Sequence, residues 1–220
     1  MKTKIQIGII GAGQVGGTLA RRLAALGHPV STANSRGPVA EVARGGALVI
    51  LAIPTKAVAE LPRDLFAGAP RDVVVVDTGN YHPELRDGRI AALDRGLLDS
   101  QWVAQQLGRP VIKAFNNILA TSLAAKGVPA GTPGRIGLSA CGDSPVAKAV
   151  VLRLIDDLGF DPVDGGELDD SWRQQPGTPA YCQDLDAAAL RSALARADRS
   201  RIAEYRAAEE ARIQRLIAAR

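Results

Sequence analysis

Short apolar runs alternate with helical patterns of hydrophobic and polar residues through most of the chain. A parallel strand buried on both faces is apolar along its length, and three runs have this character at their centres: 5–10, 47–53 and 72–77. Weaker runs predict strands at 30–36, 110–115, 135–140 and 160–163. Helices are predicted at 18–26, 39–44, 54–61, 100–107 (capped by Ser100), 118–126 and 145–158 (starting at Asp143 or Ser144). This order predicts an α/β fold with a mainly parallel, doubly wound sheet that extends to about residue 165.

The stretch between the second and third predicted strands is short. Only ten residues separate Arg36 from the run at 47–53. A helix of about two turns fits that length, but a further strand and its helix do not. We therefore expect the sheet to lack an edge strand beyond the second strand, which leaves the adenine side of a nucleotide pocket more open.

The first apolar run ends in the motif Gly-x-Gly-x-x-Gly, and a helical pattern follows at once. In a strand–turn–helix unit of this kind, Gly11 permits the tight turn and Gly13 lets a pyrophosphate approach the backbone. Gly16 lets the new helix pack closely against the strand. The N–H groups at the start of that helix attract an anion. The motif therefore predicts a dinucleotide site.

The end of the second strand indicates which dinucleotide is bound. An acidic residue there would accept hydrogen bonds from the ribose 2′-hydroxyl of NAD. This chain has Asn34, Ser35 and Arg36 instead, whose amide, hydroxyl and guanidinium groups can donate to a 2′-phosphate. The alternative is a solvated arginine at a turn. The strand end has no acidic residue and does have adjacent Ser35 and Arg36, so we favour NADP over NAD.

The residues that follow the third and fourth strands complete the predicted pocket. Ligands of open α/β sheets bind at the carboxyl ends of the strands, near the switch in strand order. We place these residues there: Ala52, Ile53, Pro54, Thr55, Asp77 and Asn80. Asp77 has an alternative role as the cap of the turn at Thr78–Gly79.

Lys113, near the end of the fifth predicted strand, is the candidate catalytic residue. Reduction of a carbonyl or an imine usually needs a proton donor, and Lys113 is better placed for that role than Lys56 or His82. Its alternative role is structural, as a lysine that bonds backbone carbonyls. Hydride transfer to a flavin-like ring depends mainly on the orientation of two stacked rings and needs no such donor.

The pattern changes after residue 166. The stretch around Pro176–Pro179 breaks it, and an alanine-rich helical region follows from Asp184. We therefore divide the chain into a nucleotide-binding domain at 1–166 and a C-terminal helical segment at 167–220. Paired Glu and Arg residues predict a solvated helix face, and the apolar face of the same helix would cover the core or a second subunit. A homodimer is our expectation.

Composition excludes several classes of function. The 220 residues are 46% hydrophobic, 23% charged and 4% aromatic, with a formal net charge of +4. Mild basicity suits an anionic ligand, whereas the scarcity of aromatic residues argues against nucleic acid. No run has the length of a membrane span and no export signal is evident, so we expect a cytoplasmic protein with Cys141 and Cys182 as free thiols. His28 and His82 are isolated, which argues against a zinc site.

Four blocks of the sequence resemble a known family. They are 8–16, 34–38, 111–116 and 158–164, and the most specific part is Lys113-Ala114-Phe115-Asn116. The chain is similar over residues 4–166 to the NADP oxidoreductases, coenzyme F420-dependent, of the 6-phosphogluconate-dehydrogenase-like Rossmann group. The resemblance implies a Rossmann-type fold with NADP(H) along the strand ends.

The resemblance also implies a role for individual residues. The pyrophosphate would be held by Gly11, Gly13, Gln14, Val15 and Gly16. The 2′-phosphate would contact Ser35 and Arg36, and the nicotinamide would lie near Pro54, Asn80, Ala114 and Asn116. Two features depart from the family: the short segment after Pro38, and Asn117 where members that use F420 often have threonine.

Three functions follow from these observations. The first is an NADPH-dependent oxidoreductase that passes hydride to a small-molecule acceptor, a flavin or deazaflavin. The second is a reductase of a small carbonyl or imine with Lys113 as proton donor. The third is a sensor or interaction protein that binds NADP(H) without turnover.

Overall fold

The computed structural model describes residues 4–34 and 37–219, and its centre is a seven-stranded sheet. The strands follow the predicted runs: β1 (Ile7–Ile10), β2 (Val30–Ala33), β3 (Leu48–Leu51), β4 (Val74–Asp77), β5 (Ile112–Ala114), β6 (Gly137–Cys141) and β7 (Asp161–Asp164). Their order across the sheet is β2-β1-β3-β4-β5-β6-β7, and only the β5–β6 pair is antiparallel. The predicted mainly parallel, Rossmann-type α/β fold is confirmed.

Strand β2 forms one edge of this sheet. Its register with β1 runs from Ile7↔Val30 to Ile10↔Ala33, and the other side of β1 pairs with β3 from Ile7↔Leu48. Within the described ranges no strand pairs with the outer side of β2. Among the described residues β2 is therefore the edge strand, as the short segment after Pro38 predicted.

Helices cover both faces of the sheet, and the alternation of side chains along the strands builds two cores. Ile7 and Ile9 of β1 face one core, and Ile10 faces the other. The helices are α1 (Gln14–Ala25), α2 (Val39–Gly45), α3 (Ala91–Asp94), α4 (Asp99–Leu107), α5 (Ala120–Ala125), α6 (Pro145–Asp157), α7 (Ala187–Arg196) and α8 (Ile202–Ala218). α1, α5 and α6 contribute to the first core, and α2, α3 and α4 to the second.

Of two predicted helix caps, the one at α6 is confirmed and the one at α4 is wrong. Ser144 caps α6, because its side chain accepts a hydrogen bond from Ala147 N–H. Ser100 does not cap α4: the cap position is Leu98, and Ser100 lies in the first turn with no exposed surface. Its hydroxyl donates to Asp77 Oδ2 at 2.6 Å. The Ser100 side chain therefore bonds a buried carboxylate of β4 instead of capping the helix.

The C-terminal segment folds back against the sheet. Leu190, Ala193 and Leu194 of α7 pack beside Val163 of β7. A 3-10 helix at Leu168–Gln174 places the Gln174 side chain in the interior, with no exposed surface. No helix in the described part of the chain combines the length and apolar character needed to cross a membrane.

Candidate functional site

A cleft of about 450 Å³ lies at the carboxyl ends of β1, β3, β4 and β5. This is the edge at which the strand order reverses, where nucleotides bind in open α/β sheets. Its lining comes from the turn after β1, the strand ends and the C-terminal segment: Gly13, Gln14, Val15, Ala52, Ile53, Pro54, Thr78, Gly79, Asn80, His82, Arg86, Phe115, Asn116, Ile118, Leu119, Ala120, Tyr181 and Cys182.

Gly11 and Gly16 are required by close backbone packing beside the cleft. Gly11 has a φ of +115°, and a Cβ there would lie 2.2 Å from the carbonyl oxygen of Ala52. A Cβ on Gly16 would lie 2.0 Å from the carbonyl oxygen of Gly11. These two glycines therefore hold the turn, β3 and α1 together rather than lining the cleft.

Gly13 has the opposite surroundings. A Cβ at this position would meet no atom of the described chain within 4 Å. Gly13 is the N-cap of α1, so its open backbone stands beside the N–H groups of the first helical turn, which have no acceptor within the helix. An anion can approach these donors without meeting a side chain. The geometry therefore fits the pyrophosphate of a dinucleotide.

Three amide side chains form one part of the cleft wall: Asn80, which is half-buried, and the buried Asn116 and Gln174. Asn80 and Asn116 exchange bonds: Asn80 Nδ2 donates to the Asn116 carbonyl at 3.0 Å, and Asn116 Nδ2 donates to Asn80 Oδ1 at 3.1 Å. Gln174 supports Asn116 from behind, since its Nε2 donates to Asn116 Oδ1 at 2.8 Å. The hydroxyl of Ser139 donates in turn to Gln174 Oε1. The orientation of the two cleft amides is therefore set by the C-terminal segment.

A buried ion pair lies beneath this wall. Lys113 has no exposed surface, and its Nζ lies 3.1 Å from Asp77 Oδ2 and donates to the Gly79 carbonyl. Asp77 Oδ1 accepts from Gly79 N–H at 2.8 Å, which fixes the turn that leads to Asn80. Lys113 is therefore placed below the cleft floor, where it bonds a carboxylate and a backbone carbonyl.

Two cleft residues have backbone conformations that disfavour side chains. Phe115 has a φ of +61° and Cys182 a φ of +54°. Such conformations cost about 1–3 kcal/mol for residues other than glycine and are frequent at functional sites. Asn117 links the two segments, because its carbonyl accepts from Cys182 N–H at 2.9 Å. Burial raises the pKa of the Cys182 thiol to about 12, so this cysteine is protonated at neutral pH.

His82 and Arg86 line the end of the cleft beyond Asn80. Arg86 donates to the Asn80 carbonyl and pairs with Asp87 at 3.0 Å. His82 is only 8% exposed, and its Nδ1 lies 4.0 Å from Glu210 Oε1 of α8. Burial, followed by the charge of Arg86, lowers the pKa of His82.

The predicted site residues fall into three groups. Those that line the cleft are Gly13, Gln14, Val15, Ala52, Ile53, Pro54, Asn80 and Asn116. Those that lie outside its lining are Gly11, Gly16, Asn34, Lys113 and Ala114. Ser35 and Arg36 lie outside the described residues.

Several lining residues were not predicted as site residues, and His82 was considered only as a weaker proton donor than Lys113. Tyr181 and Cys182 follow the stretch at Pro176–Pro179, where the helical pattern is interrupted. No local sequence signal indicates that this segment lies over the strand ends. His82 and Arg86 follow the turn after β4, so their position in the chain was the available signal.

Known proteins show the same architecture. Residues 6–40 match the family model of NADP oxidoreductases, coenzyme F420-dependent. The crystal structure of the hypothetical protein SMa0349 from Sinorhizobium meliloti is 32% identical, covers 77% of this chain and 88% of its own, and superposes with a TM-score of 0.59. A protein from Arthrobacter sp. FB24, provisionally named an F420-dependent NADP-reductase, is 23% identical, covers 76% of this chain and 87% of its own, and has a TM-score of 0.60.

A curated relative matches a smaller part of the chain. Protein YjhV of Escherichia coli K12 is 44% identical over 82 residues, which are 37% of this chain and 53% of that protein. The chain thus spans about half the length of this relative.

Proposed function

Because the chain belongs to the family of coenzyme F420-dependent NADP oxidoreductases, we propose that it transfers hydride between NADP(H) and a flavin- or deazaflavin-like acceptor in the cleft. The observation that carries the proposal is the open backbone at Gly13, which stands at the start of α1 and at one end of the cleft. The backbone of Gly11 and Gly16 is packed against neighbouring backbone, so Gly13 is the glycine of the motif that a phosphate can approach.

Different cleft residues would contact different parts of the dinucleotide. Backbone donors at the start of α1, from Gly13 to Val15, would hold the pyrophosphate. Ala52–Pro54 would lie along the ribose and nicotinamide, with Asn80 and Asn116 at the far wall. Ser35 and Arg36 would bind the 2′-phosphate, as the sequence predicts.

Bound NADPH supplies a hydride, and the chain orients the acceptor ring against it. Apolar side chains line part of the cleft, among them Phe115, Ile118 and Leu119, and Leu119 is 44% exposed. An apolar surface of this kind suits the planar ring of an acceptor. Asn80 and Asn116 are fixed by their mutual bonds and so present a rigid wall.

The first experiment is a titration with NADPH and NADH in parallel, followed by the quenching of Trp102 and Trp172. Tight NADPH binding with weak NADH binding supports the site. The loss of NADPH absorbance is then measured with a flavin, a deazaflavin, a ferric chelate and a cyclic imine. Turnover of a flavin-type acceptor supports the function, binding without turnover favours a sensor, and binding of neither nucleotide refutes the proposal.

The division at residue 166 and the assembly state belong to the same proposal. We assign nucleotide binding to 1–166, and completion of the acceptor end to 167–220. Leu216 and Ile217 on α8 are 54% and 63% exposed, which suits a cytoplasmic homodimer formed through this helix. Light scattering of the purified protein tests this point, since a monomeric mass contradicts it.

A further inference from the structure

We propose that His82, paired with Glu210, delivers the proton that the acceptor takes up together with the hydride. This inference rests on the proposed function and narrows the acceptor to one class. That class contains compounds in which a C=N or C=O heteroatom gains a proton on reduction. A ferric chelate, which takes single electrons, lies outside it.

His82 is fixed in the wall of the cleft by its own backbone. His82 N–H donates to Asp87 Oδ2 at 2.9 Å, and Asp87 N–H donates to the His82 carbonyl at the same distance. The Nδ1 atom is fully buried. His82 lines the cleft, and its buried Nδ1 is not the ring nitrogen that a ligand can reach. We therefore assign Nε2 to the ligand side of the ring.

Glu210 stands behind the ring. Its Oε1 lies 4.0 Å from His82 Nδ1, and both side chains are almost completely buried. Nδ1 has no hydrogen-bond partner among the described residues, and the Glu210 carboxylate is held by Glu84 N–H at 3.1 Å. A buried carboxylate at this separation stabilises a proton on the ring. A protonated His82 ring would therefore form an ion pair with Glu210 in the wall of the cleft.

The charges that face His82 come from three elements. Burial and Arg86 lower the pKa of His82, whereas Asp87, Asp99 of α4 and Glu209 of α8 act in the opposite direction. An imidazolium in this setting is a stronger acid than a solvated one. It therefore gives up its proton readily when a basic heteroatom is placed against Nε2.

The charges that face Glu210 act in the complementary sense. Burial, with a contribution from Glu84, raises the pKa of Glu210, and the N–H groups of Glu84 and Leu85 and the charge of Arg206 oppose this shift. The pKa of His82 is thus lowered and that of Glu210 is raised.

The acceptor carbon gains the hydride, with its electron pair, from the reduced nicotinamide, and the π bond to the heteroatom breaks. The heteroatom takes the proton from Nε2 of the His82 imidazolium. The acceptor is thereby reduced by two electrons, NADPH is oxidised to NADP⁺, and the pair regains its proton from solvent.

This assignment places the proton donor at the cleft surface. Lys113, the donor that the sequence suggested, has no exposed surface and is bonded to Asp77 and Gly79. Tyr181, which also lines the cleft, has its pKa raised by burial. His82 combines cleft exposure with a neighbouring carboxylate.

The first test measures the pair directly. The chain has two histidines, so NMR of histidine-labelled protein gives two ring signals, and His82→Asn assigns them. We expect Glu210→Gln to move the His82 midpoint to lower pH by about one unit or more, because a nearby opposite charge is removed. An unchanged midpoint overturns the pair, whether or not any acceptor is turned over.

The second test measures the reaction. With saturating NADPH and a turned-over C=N or C=O acceptor, His82→Asn lowers kcat by about 100-fold or more while NADPH binding is unchanged. Glu210→Gln gives a smaller loss and shifts the pH profile of kcat in step with the NMR midpoint. His28→Gln, at a histidine away from the cleft, keeps the wild-type rate.

The outcomes separate the two proposals. A His82→Asn variant that keeps the wild-type kcat overturns the proton assignment and leaves hydride transfer standing. Turnover of the ferric chelate alone overturns the acceptor class. Wild-type protein that turns over no acceptor refutes the proposed function and with it the step, while the NMR midpoints still decide whether the pair exists.

Discussion

Gly13→Ala separates the ligand role of the glycine motif from its structural role. The new methyl group would meet no atom of the described chain within 4 Å, and the φ of −71° with ψ of −167° is extended backbone that any residue adopts. We therefore expect the free energy of unfolding to change by no more than about 0.5 kcal/mol. Any change is a small loss, because Gly13 is the N-cap of α1 and glycine is preferred over alanine at that position.

The effect on the ligand is much larger. The methyl group occupies the space through which a phosphate reaches the N–H groups of α1. Loss of one hydrogen bond to a charged group costs about 1.5–3 kcal/mol. This corresponds to roughly a 10- to 150-fold rise in the Kd for NADPH. NADH loses a similar factor, because both nucleotides carry the pyrophosphate.

Two neighbouring glycines supply matched controls. Gly17→Ala lies within α1 with its nearest contact at 3.5 Å, so it stabilises the helix by about 0.5–1 kcal/mol and leaves the Kd unchanged. Gly16→Ala forces a Cβ to 2.0 Å from the carbonyl of Gly11, so it destabilises the fold by about 1–3 kcal/mol or more.

The assay combines urea denaturation with nucleotide titration on the same three variants. We expect Gly13→Ala to lose affinity with little loss of stability, and Gly16→Ala to lose stability. If Gly13→Ala binds NADPH as tightly as the wild type, the pyrophosphate does not lie over α1 and the assignment of the cleft is wrong.

The other predictions concern single side chains. Lys113→Met leaves the buried Asp77 carboxylate without its cation and lowers the free energy of unfolding by about 3–5 kcal/mol, as measured in urea; an unchanged midpoint would contradict the ion pair. Arg36→Ala weakens NADPH by about 1–3 kcal/mol and spares NADH, and equal losses would contradict the 2′-phosphate assignment. Burial raises the pKa of both Cys141 and Cys182 to about 12. At pH 8 only about one thiol in 10⁴ is then a thiolate. Native protein therefore resists iodoacetamide, mass spectrometry finds both thiols labelled only in denaturant, and rapid native labelling would argue against this protonation state.

The strands and the nucleotide end of the cleft could be predicted because their signals are local. An apolar run, three glycines and a turn specify β1 and α1, although α1 begins at Gln14 rather than at Thr18. The edge position of β2 followed from chain length alone, since ten residues cannot supply another strand and helix.

The part of the cleft around Asn116 could not be predicted because it depends on contacts between distant segments. Asn116 and Gln174 are 58 residues apart, and Asp77 and Ser100 are 23 residues apart. Ser100 carried the signal of a helix cap, but a buried carboxylate competes for its hydroxyl. Glu210 reaches the His82 wall only because α8 returns to the strand ends, and no periodicity in the sequence encodes that return.

The dependence of the cleft on Gln174 has a consequence for the order in which the protein matures. All seven strands are synthesised before Gln174, Tyr181 and Glu210 leave the ribosome. A nascent chain that stops short of these residues has α1 and its glycines, but Asn116 lacks the amide that orients it. We therefore expect nascent chains of increasing length, released from stalled ribosomes, to bind the dinucleotide only when they extend beyond Cys182.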